Sequence, residues 1–426
     1  MAPRIVVVGG GAGGLELATS LGDRFAKRGR AKVTLVDRSR THLWKPLLHE
    51  VAAGSMDIHQ HQLDYLAQAR WHHFTFTLGP LTGLDRAARE IVVGAVRDDE
   101  GTEILPERRV GYDQVVIAIG SESNDFGTPG VREHAFTLDN AWQAHLFHRR
   151  LVNACFRANF ANDGRVIDIA IVGAGATGVE LAAELHNTIR VLAAYGLENF
   201  HPQQQIRLAI VEAGPRILPG LPDHIAEGTM KVLRDLGVAV MTGDPVVEVS
   251  AGGLRTAGGK AVRADFTVWA AGIKCAEVLK DLDGLESNRL NQLVVRPTLQ
   301  ATRDDNVHAL GDCAAVPWTE GRTVPPRAQS AHQEAEHLVR TLLASPRPYR
   351  YRDFGSLVAL GHYHTIGQLM GFISSEKFRV EGWLAKLFYL SLYRQHIWAL
   401  YGFWRMALDT LSRLIRRQVE PKVKLH

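Results

Sequence analysis

The sequence predicts an α/β protein with two Rossmann-like dinucleotide-binding domains. Short apolar runs alternate with helical stretches, which is typical of proteins with parallel sheets. The segments that begin at Ile5 and Ile169 share one design, which is a strand, a glycine-rich turn and a helix with apolar residues at every third or fourth position. The two segments lie 164 residues apart, so the repeat indicates duplication of a whole domain and not a solenoid.

Other strands are predicted from short apolar or alternating runs. They fall at residues 74–76, 91–93, 112–121, 264–272 and 307–312. From Pro346 onward the alternation fades, and a segment rich in aromatic residues leads into a basic tail.

The composition excludes several classes of protein. Of 426 residues 46% are hydrophobic and 22% charged, as expected for a globular chain with a large core. The net charge of +4 is too small to indicate a nucleic-acid binder. Cys155, Cys275 and Cys313 lie far apart, so we expect no disulfide framework, no metal site and a reducing compartment. No apolar run reaches the length of a membrane span, and the glycines after Val8 interrupt any secretory signal.

The first glycine-rich turn fits a dinucleotide-binding loop. Gly9, Gly11 and Gly14 form G-x-G-x-x-G directly after a strand, which allows a tight turn, a close approach to a pyrophosphate and close packing of the helix. Asp37 ends the next predicted strand 23 residues later, where an acid is expected to bind a ribose hydroxyl.

The second turn repeats this pattern. Its glycines are Gly173, Gly175 and Gly178. The candidate acid is Glu212, and its long interval of 34 residues is explained by an inserted loop at 195–205. An acid favours NADH because it repels a 2′-phosphate, although Arg216 nearby weakens this preference slightly.

Two dinucleotide sites in one chain indicate hydride transfer between a nicotinamide and a flavin, whose rings can stack. The Gly311–Asp312 turn resembles the element that binds the ribityl chain in flavoprotein disulfide reductases, where it completes the FAD domain. The first loop is therefore assigned to FAD and the second to NADH. The predicted domains are an FAD-binding domain (1–122 and 296–345), an NADH-binding domain (123–295) and a C-terminal membrane-association segment (346–426).

The cysteines argue against thiol chemistry. Classical flavoprotein reductases carry a cysteine pair shortly after the first acid, but residues 37–54 contain no cysteine. Cys275 and Cys313 each follow a glycine turn at a strand end, where a small buried residue is expected. A sulfide-oxidising cysteine pair remains the alternative.

Five stretches resemble type II NADH dehydrogenase, the bacterial single-subunit NADH:quinone oxidoreductase. They are VGGGAGGLE at 8–16, HLWKPLLHEV at 42–51, GAGATGVEL at 173–181, WAAGIK at 269–274 and PPRAQSAHQ at 325–333. The resemblance covers essentially the whole chain and extends to the ending KVKLH. It implies FAD, NADH and a quinone as the electron acceptor.

The resemblance also implies the site residues. For FAD these are Gly9, Gly11, Gly13, Gly14, Asp37, Lys45, Ala118, Asp312, Ala328 and Gln329, and for NADH they are Gly173, Gly175, Gly178, Glu180, Glu212 and Gly272. In the family the A-Q-x-A-x-Q stretch borders the flavin where quinone is reduced. Gln329 and Gln333 lie four residues apart, so both amides project from one helix face and can bind a quinone carbonyl without burying a charge. The alternatives are a solvated helix face for these glutamines and a surface lysine at Lys45.

Glu180 is the third catalytic candidate, besides Gln329 and Gln333. The matching glutamate of the family lies near the contact of nicotinamide and flavin, with a role in hydride donation or quinone protonation. Glu16 occupies the equivalent place after the first loop. The alternative is a glutamate that the helix dipole favours in a first turn.

The C-terminal segment has the composition of an interfacial helix. Its aromatic residues are Trp383, Phe388, Tyr389, Tyr393, Trp398, Tyr401, Phe403 and Trp404. One face of a predicted helix carries Ile397, Leu400, Tyr401, Trp404, Leu408, Leu411, Leu414 and Ile415. Arg405, Asp409, Ser412, Arg413 and Arg416 lie opposite. This pattern fits a helix that binds a lipid bilayer surface, and it fits equally an ordinary helix packed on the protein or on a second copy in a homodimer. The resemblance favours the bilayer, because the acceptor of that family is a lipid-soluble quinone and its C-terminal part binds the membrane.

The predicted function is an FAD-dependent NADH:quinone oxidoreductase that does not pump protons and lies at the cytoplasmic face of the inner membrane. A sulfide:quinone oxidoreductase and an NADH-sensing flavoprotein of the apoptosis-inducing-factor type are the alternatives. The choice between ubiquinone and menaquinone stays open, as do the oligomeric state and the simultaneous binding of NADH and quinone.

Overall fold

Two five-stranded parallel sheets form the centre of the protein, which a computed structural model describes at residues 1–319, 321–360, 364–370, 377–381, 383–419, 421 and 423–424. In spatial order the first sheet contains Val307–Ala309, Gln114–Ile117, Arg4–Val8, Lys32–Asp37 and Thr75–Leu78. The second contains Ala135–Thr137, Phe266–Trp269, Ile167–Val172, Ile206–Glu212 and Ala239–Thr242. All neighbouring pairs in both sheets are parallel. The predicted fold class is confirmed.

Twelve α-helices lie within the described residues. They are α1 (Ala12–Arg24), α2 (Leu48–Ala53), α3 (Ile58–His61), α4 (Tyr65–Trp71), α5 (Val131–His134), α6 (Ala141–Ala161), α7 (Ala176–Ala194), α8 (Pro202–Gln205), α9 (Asp223–Asp235), α10 (Ala328–Thr341), α11 (Trp383–Tyr401) and α12 (Phe403–Val419). The 3-10 turns are Ala26–Arg28, Lys45–Leu47, Glu277–Leu279, Leu282–Gly284 and Gly311–Cys313. Helices α1 and α7 follow the two glycine-rich loops, as predicted.

Smaller sheets complete the fold. The three-stranded antiparallel sheets are Leu81–Asp85 with Glu90–Val93 and Arg108–Gly111, Val246–Ser250 with Gly253–Thr256 and Ala261–Arg263, and Gly355–Leu360 with His364–Met370 and Lys377–Glu381. The two-stranded pairs are Thr41–His42 with Leu63–Asp64, Val96–Arg97 with Glu103–Leu105, Glu122–Ser123 with Ile273–Lys274, and Leu293–Val294 with Ala314–Ala315. The sheet formed by residues 355–360, 364–370 and 377–381 was not predicted, although the run KFRVE at 377–381 alternates polar and apolar residues.

Each large sheet has its own apolar core. The strand Ile167–Val172 is buried at every position, as expected for a parallel strand covered on both faces. The equivalent strand Arg4–Val8 is buried from Ile5 onward. Since Val307–Ala309 pairs with Gln114–Ile117, the chain returns to the first sheet after completing the second.

The C-terminal helix is not continuous, so the single apolar face predicted over 397–415 is wrong. Gly402 has a φ of +77°, a left-handed conformation that ends α11 and lets α12 start in a new direction. Ile397 and Leu400 before the break are buried in the protein, whereas Trp404 and Leu408 after it are 78% and 66% exposed.

Some C-terminal predictions lie outside the described residues. These are the side chains of Trp383, Phe388, Tyr389, Leu414 and Arg416, and residues 422, 425 and 426 of the ending. In the part of the chain that is described, no helix combines the length and the hydropathy needed to cross a bilayer.

Candidate active site

The first glycine loop forms a cradle that is open on one side. Gly9 has a φ of +104°, and a Cβ there would lie 2.4 Å from the carbonyl oxygen of Ala118. A Cβ on Gly14 would lie 1.9 Å from the oxygen of Gly9, so the helix can approach the strand only with glycine here. A Cβ on Gly11, in contrast, would meet no atom closer than 4.0 Å, and no side chain caps α1. The free backbone N–H groups at this end fit the pyrophosphate of FAD.

The second loop repeats this geometry. Gly173 has a φ of +102°, and a Cβ there would lie 2.8 Å from the oxygen of Ala270. A Cβ on Gly178 would lie 2.1 Å from the oxygen of Gly173. Gly175 has open space beside it, and no side chain caps α7. This loop therefore fits the pyrophosphate of NADH.

The two acids lie at equivalent strand ends and hold their loops in place. Each carboxylate accepts one hydrogen bond from the glycine-rich loop and one from the residue two positions after the acid. The donors are the N–H groups of Gly10 (2.6 Å) and Ser39 (2.7 Å) for Asp37, and of Ala174 (2.6 Å) and Gly214 (2.7 Å) for Glu212. Burial raises the pKa of Asp37. A ribose hydroxyl would bind to the lone pairs that remain on each carboxylate. The hydrogen bonds by which the two acids hold the glycine-rich loops were not predicted.

Arg216 is already engaged by the backbone. Its guanidinium donates to the carbonyl oxygens of Pro219 (3.0 Å) and Leu221 (2.8 Å). A 2′-phosphate would compete with these bonds and would face Glu212. The arrangement therefore favours NADH over NADPH.

Asp312 belongs to a polar cluster whose four members come from separate segments of the chain. Ser121 donates its hydroxyl to Asp312 Oδ2 at 2.7 Å, and Lys45 Nζ donates to the carbonyl oxygen of Ser121 at 2.6 Å. Gln292 donates to the carbonyl oxygen of Asp312 at 2.8 Å. Ser121 was missed by the sequence analysis, although its place after Gly120 at a strand end was a usable signal.

Glu334 was also missed. Its carboxylate is 1% exposed and accepts the backbone N–H of Gly311 at 2.6 Å, behind the Asp312 turn. Burial raises the pKa of Glu334 to about 8, with the charge of Asp312 adding to the effect. Glu334 directly follows the A-Q-x-A-x-Q stretch on α10.

Gln329 and Gln333 lie on one face of α10, as predicted from their spacing. The amide of Gln329 donates to the carbonyl oxygen of Gly355 (3.0 Å) and accepts from the N–H of Phe354 (3.3 Å). The amide of Gln333 bonds both backbone groups of Arg352, at 2.9 and 3.0 Å. Both side chains thus fasten residues 352–355 to α10. Contact of these glutamines with a quinone stays a prediction. It requires each amide either to break its hydrogen bonds to the backbone of residues 352–355 or to bind the quinone in addition to them.

The remaining predicted residues lie at the edges of these clusters. Gly13 packs closely, since a Cβ there would lie 2.7 Å from Leu310 Cδ1. Ala328 is the first residue of α10. Gly272 has a φ of +62° and faces the exposed ring of Phe126, which a Cβ would approach to 2.5 Å.

The ligand-binding edges of the two sheets meet. Glu122 pairs with Lys274 and Ser123 with Ile273 in a two-stranded ladder. One strand of the ladder follows Gln114–Ile117 of the first sheet, and the other follows Phe266–Trp269 of the second. Ligands of open parallel sheets bind beyond the carboxyl ends of the strands, so both sites open toward one region.

Glu180 and Glu16 have different surroundings despite their equivalent positions. Glu180 is buried, and its Oε2 lies 3.7 Å from Nδ1 of His49 on α2. Glu16 instead contacts His332 and His396, each at 2.5 Å. Of these two glutamates, therefore, only Glu180 contacts a residue of the other predicted dinucleotide-binding domain, since His49 belongs to the predicted FAD-binding domain.

The three cysteines are free and buried, as predicted for Cys275 and Cys313. Burial raises the pKa of Cys155 and of Cys313 to about 12 and also raises the pKa of Cys275. Thiolates are therefore absent near neutral pH. The described residues contain no group of three or more side chains suited to a metal ion.

The fold and these two cradles define a flavin- and nicotinamide-dependent oxidoreductase. Residues 3–335 match the pyridine nucleotide-disulphide oxidoreductase family. The chain is 40% identical to the type II NADH:quinone oxidoreductase of Haemophilus influenzae over 99% of both chains. It is 27% identical to the enzyme of the same name from Staphylococcus aureus, over 86% of this chain and 90% of that one. The chain belongs to the type II NADH:quinone oxidoreductase family, which confirms the predicted family.

A solved structure agrees with the fold. NDH2 from Plasmodium falciparum in complex with NADH aligns over 100% of both chains with a TM-score of 0.82 and 18% identity.

Proposed function

We propose that this protein is an FAD-dependent NADH:quinone oxidoreductase that does not pump protons. The observation that carries the proposal is the ladder between Glu122–Ser123 and Ile273–Lys274, which joins the ligand-binding edges of two complete dinucleotide cradles. When bound, FAD accepts hydride from NADH and passes two electrons to a quinone. The chain belongs to a family whose characterised members carry this activity in their name.

The side chains divide into binding and proton-handling groups. Asp37 and Glu212 fix the loops and receive the ribose hydroxyls of FAD and NADH. The linked cluster of Lys45, Ser121 and Asp312 lies where the ribityl chain and ring of FAD would bind. Glu180, buried where the halves meet, is placed to hold or transfer a proton during turnover.

Anaerobic titration tests this function. The purified protein should be yellow, and NADH should bleach the flavin absorbance in a 1:1 ratio, after which a soluble quinone analogue should restore it. NADPH serves as the control and should bleach more weakly because Glu212 disfavours its phosphate. A protein that binds no FAD, or whose NADH-reduced flavin is not reoxidised by quinone, would contradict the proposal.

The same experiment separates the alternatives. A sulfide:quinone oxidoreductase would be reduced by sulfide and would depend on its cysteines. An NADH sensor of the apoptosis-inducing-factor type would be reduced by NADH but would turn over poorly with quinone.

We also propose that the protein binds a lipid bilayer through an exposed apolar surface, the membrane face. It consists of Leu66, Trp71, Trp398, Phe403, Trp404, Leu408, Leu411 and Ile415, each at least 50% exposed. Helix α4 joins this surface because Trp71 contacts Tyr401 with ring centroids 6.2 Å apart, and Arg405 lies 5.6 Å above the Trp71 ring. Aromatic rings flanked by arginines suit the headgroup region of anionic lipid.

The charge around the membrane face favours anionic lipid over a second copy of the chain. Asp409 is neutralised by Arg394 (2.8 Å) and Arg413 (2.7 Å), which leaves the surrounding charge positive. Two copies would bring like charges together, so a homodimer through this face is the less favoured outcome. A bilayer location would let a lipid-soluble quinone reach the flavin. The free cysteines and the use of NADH support the proposal that the enzyme binds the cytoplasmic side of the membrane.

A further inference from the structure

A chain of hydrogen bonds runs through the protein between the FAD loop and the C-terminal helix α11. His42 Nδ1 lies 2.8 Å from the carbonyl oxygen of Gly10, and His42 Nε2 lies 3.0 Å from Nε2 of His396. His396 Nδ1 lies 2.5 Å from one oxygen of Glu16, and His332 Nδ1 lies 2.5 Å from the other. His42, His396 and Glu16 are 3%, 3% and 5% exposed. None of these contacts is explained by the proposed reaction.

The geometry of this series of hydrogen bonds determines which nitrogen atoms carry protons. A carbonyl oxygen only accepts, so His42 must donate its Nδ1–H to Gly10. Burial lowers the pKa of His42 to about 3, so this ring is neutral and its Nε2 can only accept. His396 must therefore donate its Nε2–H to His42.

The Glu16–His396 contact consequently holds an additional proton. With Nε2 protonated, His396 Nδ1 either carries a proton donated to a Glu16 carboxylate or accepts one from a Glu16 carboxylic acid. Both arrangements contain one proton more than a carboxylate beside a neutral imidazole. Burial opposes ionisation of Glu16, but the hydrogen bonds from His332 and His396 outweigh it and lower the pKa of Glu16, which favours the ion pair.

We infer that this shared proton fastens α11 to the FAD loop, which makes His42, Glu16 and His396 positioning residues for FAD. The inference rests on the proposed binding of FAD at the first loop. It makes the C-terminal helix a structural part of the cofactor site, in addition to its proposed role at the membrane.

The series of hydrogen bonds ends at Gly10 in the FAD loop. Its N–H donates to Asp37 at 2.6 Å, and its carbonyl oxygen accepts from Tyr65 at 2.7 Å and from His42. A Cβ on Gly10 would lie 2.4 Å from the Tyr65 hydroxyl oxygen, so the loop is packed tightly on this side. Gly10 lies between Gly9 and Gly11 of the cradle, so a shift of Gly10 would move the backbone N–H groups that would bind the pyrophosphate.

Apolar packing supports the same attachment. Trp44 stacks on His396 with an interplanar angle of 17° and contacts Tyr393 with centroids 5.4 Å apart. Leu47 and Ile397 belong to the same buried cluster. Helix α11 therefore also packs on the turn that contains Lys45, the predicted flavin contact.

The attachment should weaken at alkaline pH. The titratable side chains that face Glu16 and His396 are His42 from the strand Thr41–His42 and His332 from α10, with Glu336 3.8 Å beyond His332. Removal of the shared proton leaves one lone pair facing another, either at the His42–His396 contact or at the His396–Glu16 contact. One hydrogen bond of the chain is then lost.

Release of FAD from the holoenzyme tests the inference. We expect wild-type protein to release FAD about tenfold faster at pH 9 than at pH 6, followed by the gain of free-flavin fluorescence. Glu16→Gln should retain FAD equally at both pH values, because an amide donates to His396, accepts from His332 and cannot lose the proton. His396→Phe should release FAD rapidly at every pH. His337→Phe is the control, since His337 bonds only the backbone of Arg347 in the described structure and lies outside the chain.

Hydrogen exchange of 383–401 provides a second readout that does not depend on FAD turnover. After correction for the intrinsic rise of amide exchange with pH, the protection of these amides should fall in wild type at alkaline pH and stay constant in Glu16→Gln. Equal pH dependence of FAD release in Glu16→Gln and wild type would overturn the inference, even if His396→Phe does not fold. A yellow wild-type enzyme that NADH bleaches but that shows no pH effect rejects this inference alone, whereas a colourless wild type rejects the proposed function as well.

Discussion

Glu180 on α7 lies 3.7 Å from His49 on α2, and the two buried side chains connect the helix of the NADH loop with the FAD half of the molecule. Burial lowers the pKa of His49 to about 4, so the imidazole is neutral at physiological pH. The carboxylate of Glu180 therefore has a neutral donor or acceptor beside it and no compensating charge from His49. The proposed role of Glu180 in holding or transferring a proton during turnover depends on this pair.

We predict that Glu180→Gln lowers quinone-dependent turnover by about tenfold or more, because a positioned proton donor or acceptor is lost. FAD content should not change. Stopped-flow absorbance would measure flavin reduction by NADH and reoxidation by quinone separately. Glu198→Gln, at an exposed position after α7, is the control and should behave as wild type. Unchanged rates for both half-reactions in Glu180→Gln would remove Glu180 from the catalytic residues.

The two glycines of the NADH loop should respond to alanine in opposite ways. Gly178→Ala would place a Cβ 2.1 Å from a backbone oxygen, so it should destabilise the protein by roughly 1–3 kcal/mol. Gly175 has open space and an ordinary φ of −71°, so Gly175→Ala should leave the Tm unchanged. That open space is where the pyrophosphate would bind, and KM for NADH should rise about tenfold. A normal KM in Gly175→Ala would place NADH elsewhere.

Replacing the cysteines should have little effect on the reaction. Cys275 donates to the carbonyl oxygen of Asp312 at 3.4 Å, and serine can keep this bond. Because the pKa values of the thiols are raised by burial, Cys155→Ser, Cys275→Ser and Cys313→Ser should each retain NADH:quinone turnover within about twofold. Sulfide should not reduce the wild-type flavin. Loss of turnover in a variant that keeps its FAD would instead favour the sulfide-oxidising alternative.

The glycine loops and their acids could be predicted because their physical requirements are local. A positive φ at Gly9 and the close approach of Gly14 to the strand are imposed by a few neighbouring residues. The same holds for Asp37 and Glu212, which only need to end a strand beside the loop. Buried, uniformly apolar runs such as Ile167–Val172 likewise carry their own signal.

Contacts between distant residues could not be predicted. His42 and His396 are 354 residues apart, and neither lies in a pattern that indicates its partner. The hydrogen bonds of Gln329 and Gln333 to residues 352–355 could not be predicted for the same reason, since no sequence pattern indicates these partners. At Gly402, the apolar periodicity continues through the position where the backbone turns, so it gave no sign that Ile397 and Leu400 are buried whereas Trp404 and Leu408 are exposed.

Point substitutions on the membrane face should separate lipid binding from folding. Leu408→Glu and Leu411→Glu place charges on side chains that are 66% and 56% exposed, so the fold and FAD content should be unaffected. Sedimentation with phosphatidylglycerol-containing vesicles should fall by about tenfold or more, because each charge opposes insertion of the apolar face. Phe160→Glu, at a 90% exposed position on α6, is the control.

The oligomeric state of these variants tests whether the membrane face binds a second copy of the chain and not a bilayer. Light scattering should give the same mass for wild type and Leu408→Glu in the absence of lipid. A wild-type dimer that dissociates in Leu408→Glu, with vesicle binding unchanged, would replace the bilayer with a second copy of the chain. High salt should weaken vesicle binding only in part, because apolar insertion is not screened.

Glu334 should make the stability of the protein depend on pH. Burial raises its folded pKa to about 8, well above the unfolded value of about 4.3. A raised folded pKa means that the stabilising contribution is complete below the unfolded pKa and is lost as pH rises through the folded one.

Glu334→Gln keeps an acceptor for the N–H of Gly311 but has no proton to lose. Its Tm should therefore exceed that of wild type by an amount that grows between about pH 5 and pH 8, as calorimetry would measure. Glu227→Gln on an exposed face of α9 should follow wild type at every pH. Parallel Tm curves for Glu334→Gln and wild type would mean that Glu334 ionises normally and that a charged carboxylate holds the Asp312 turn.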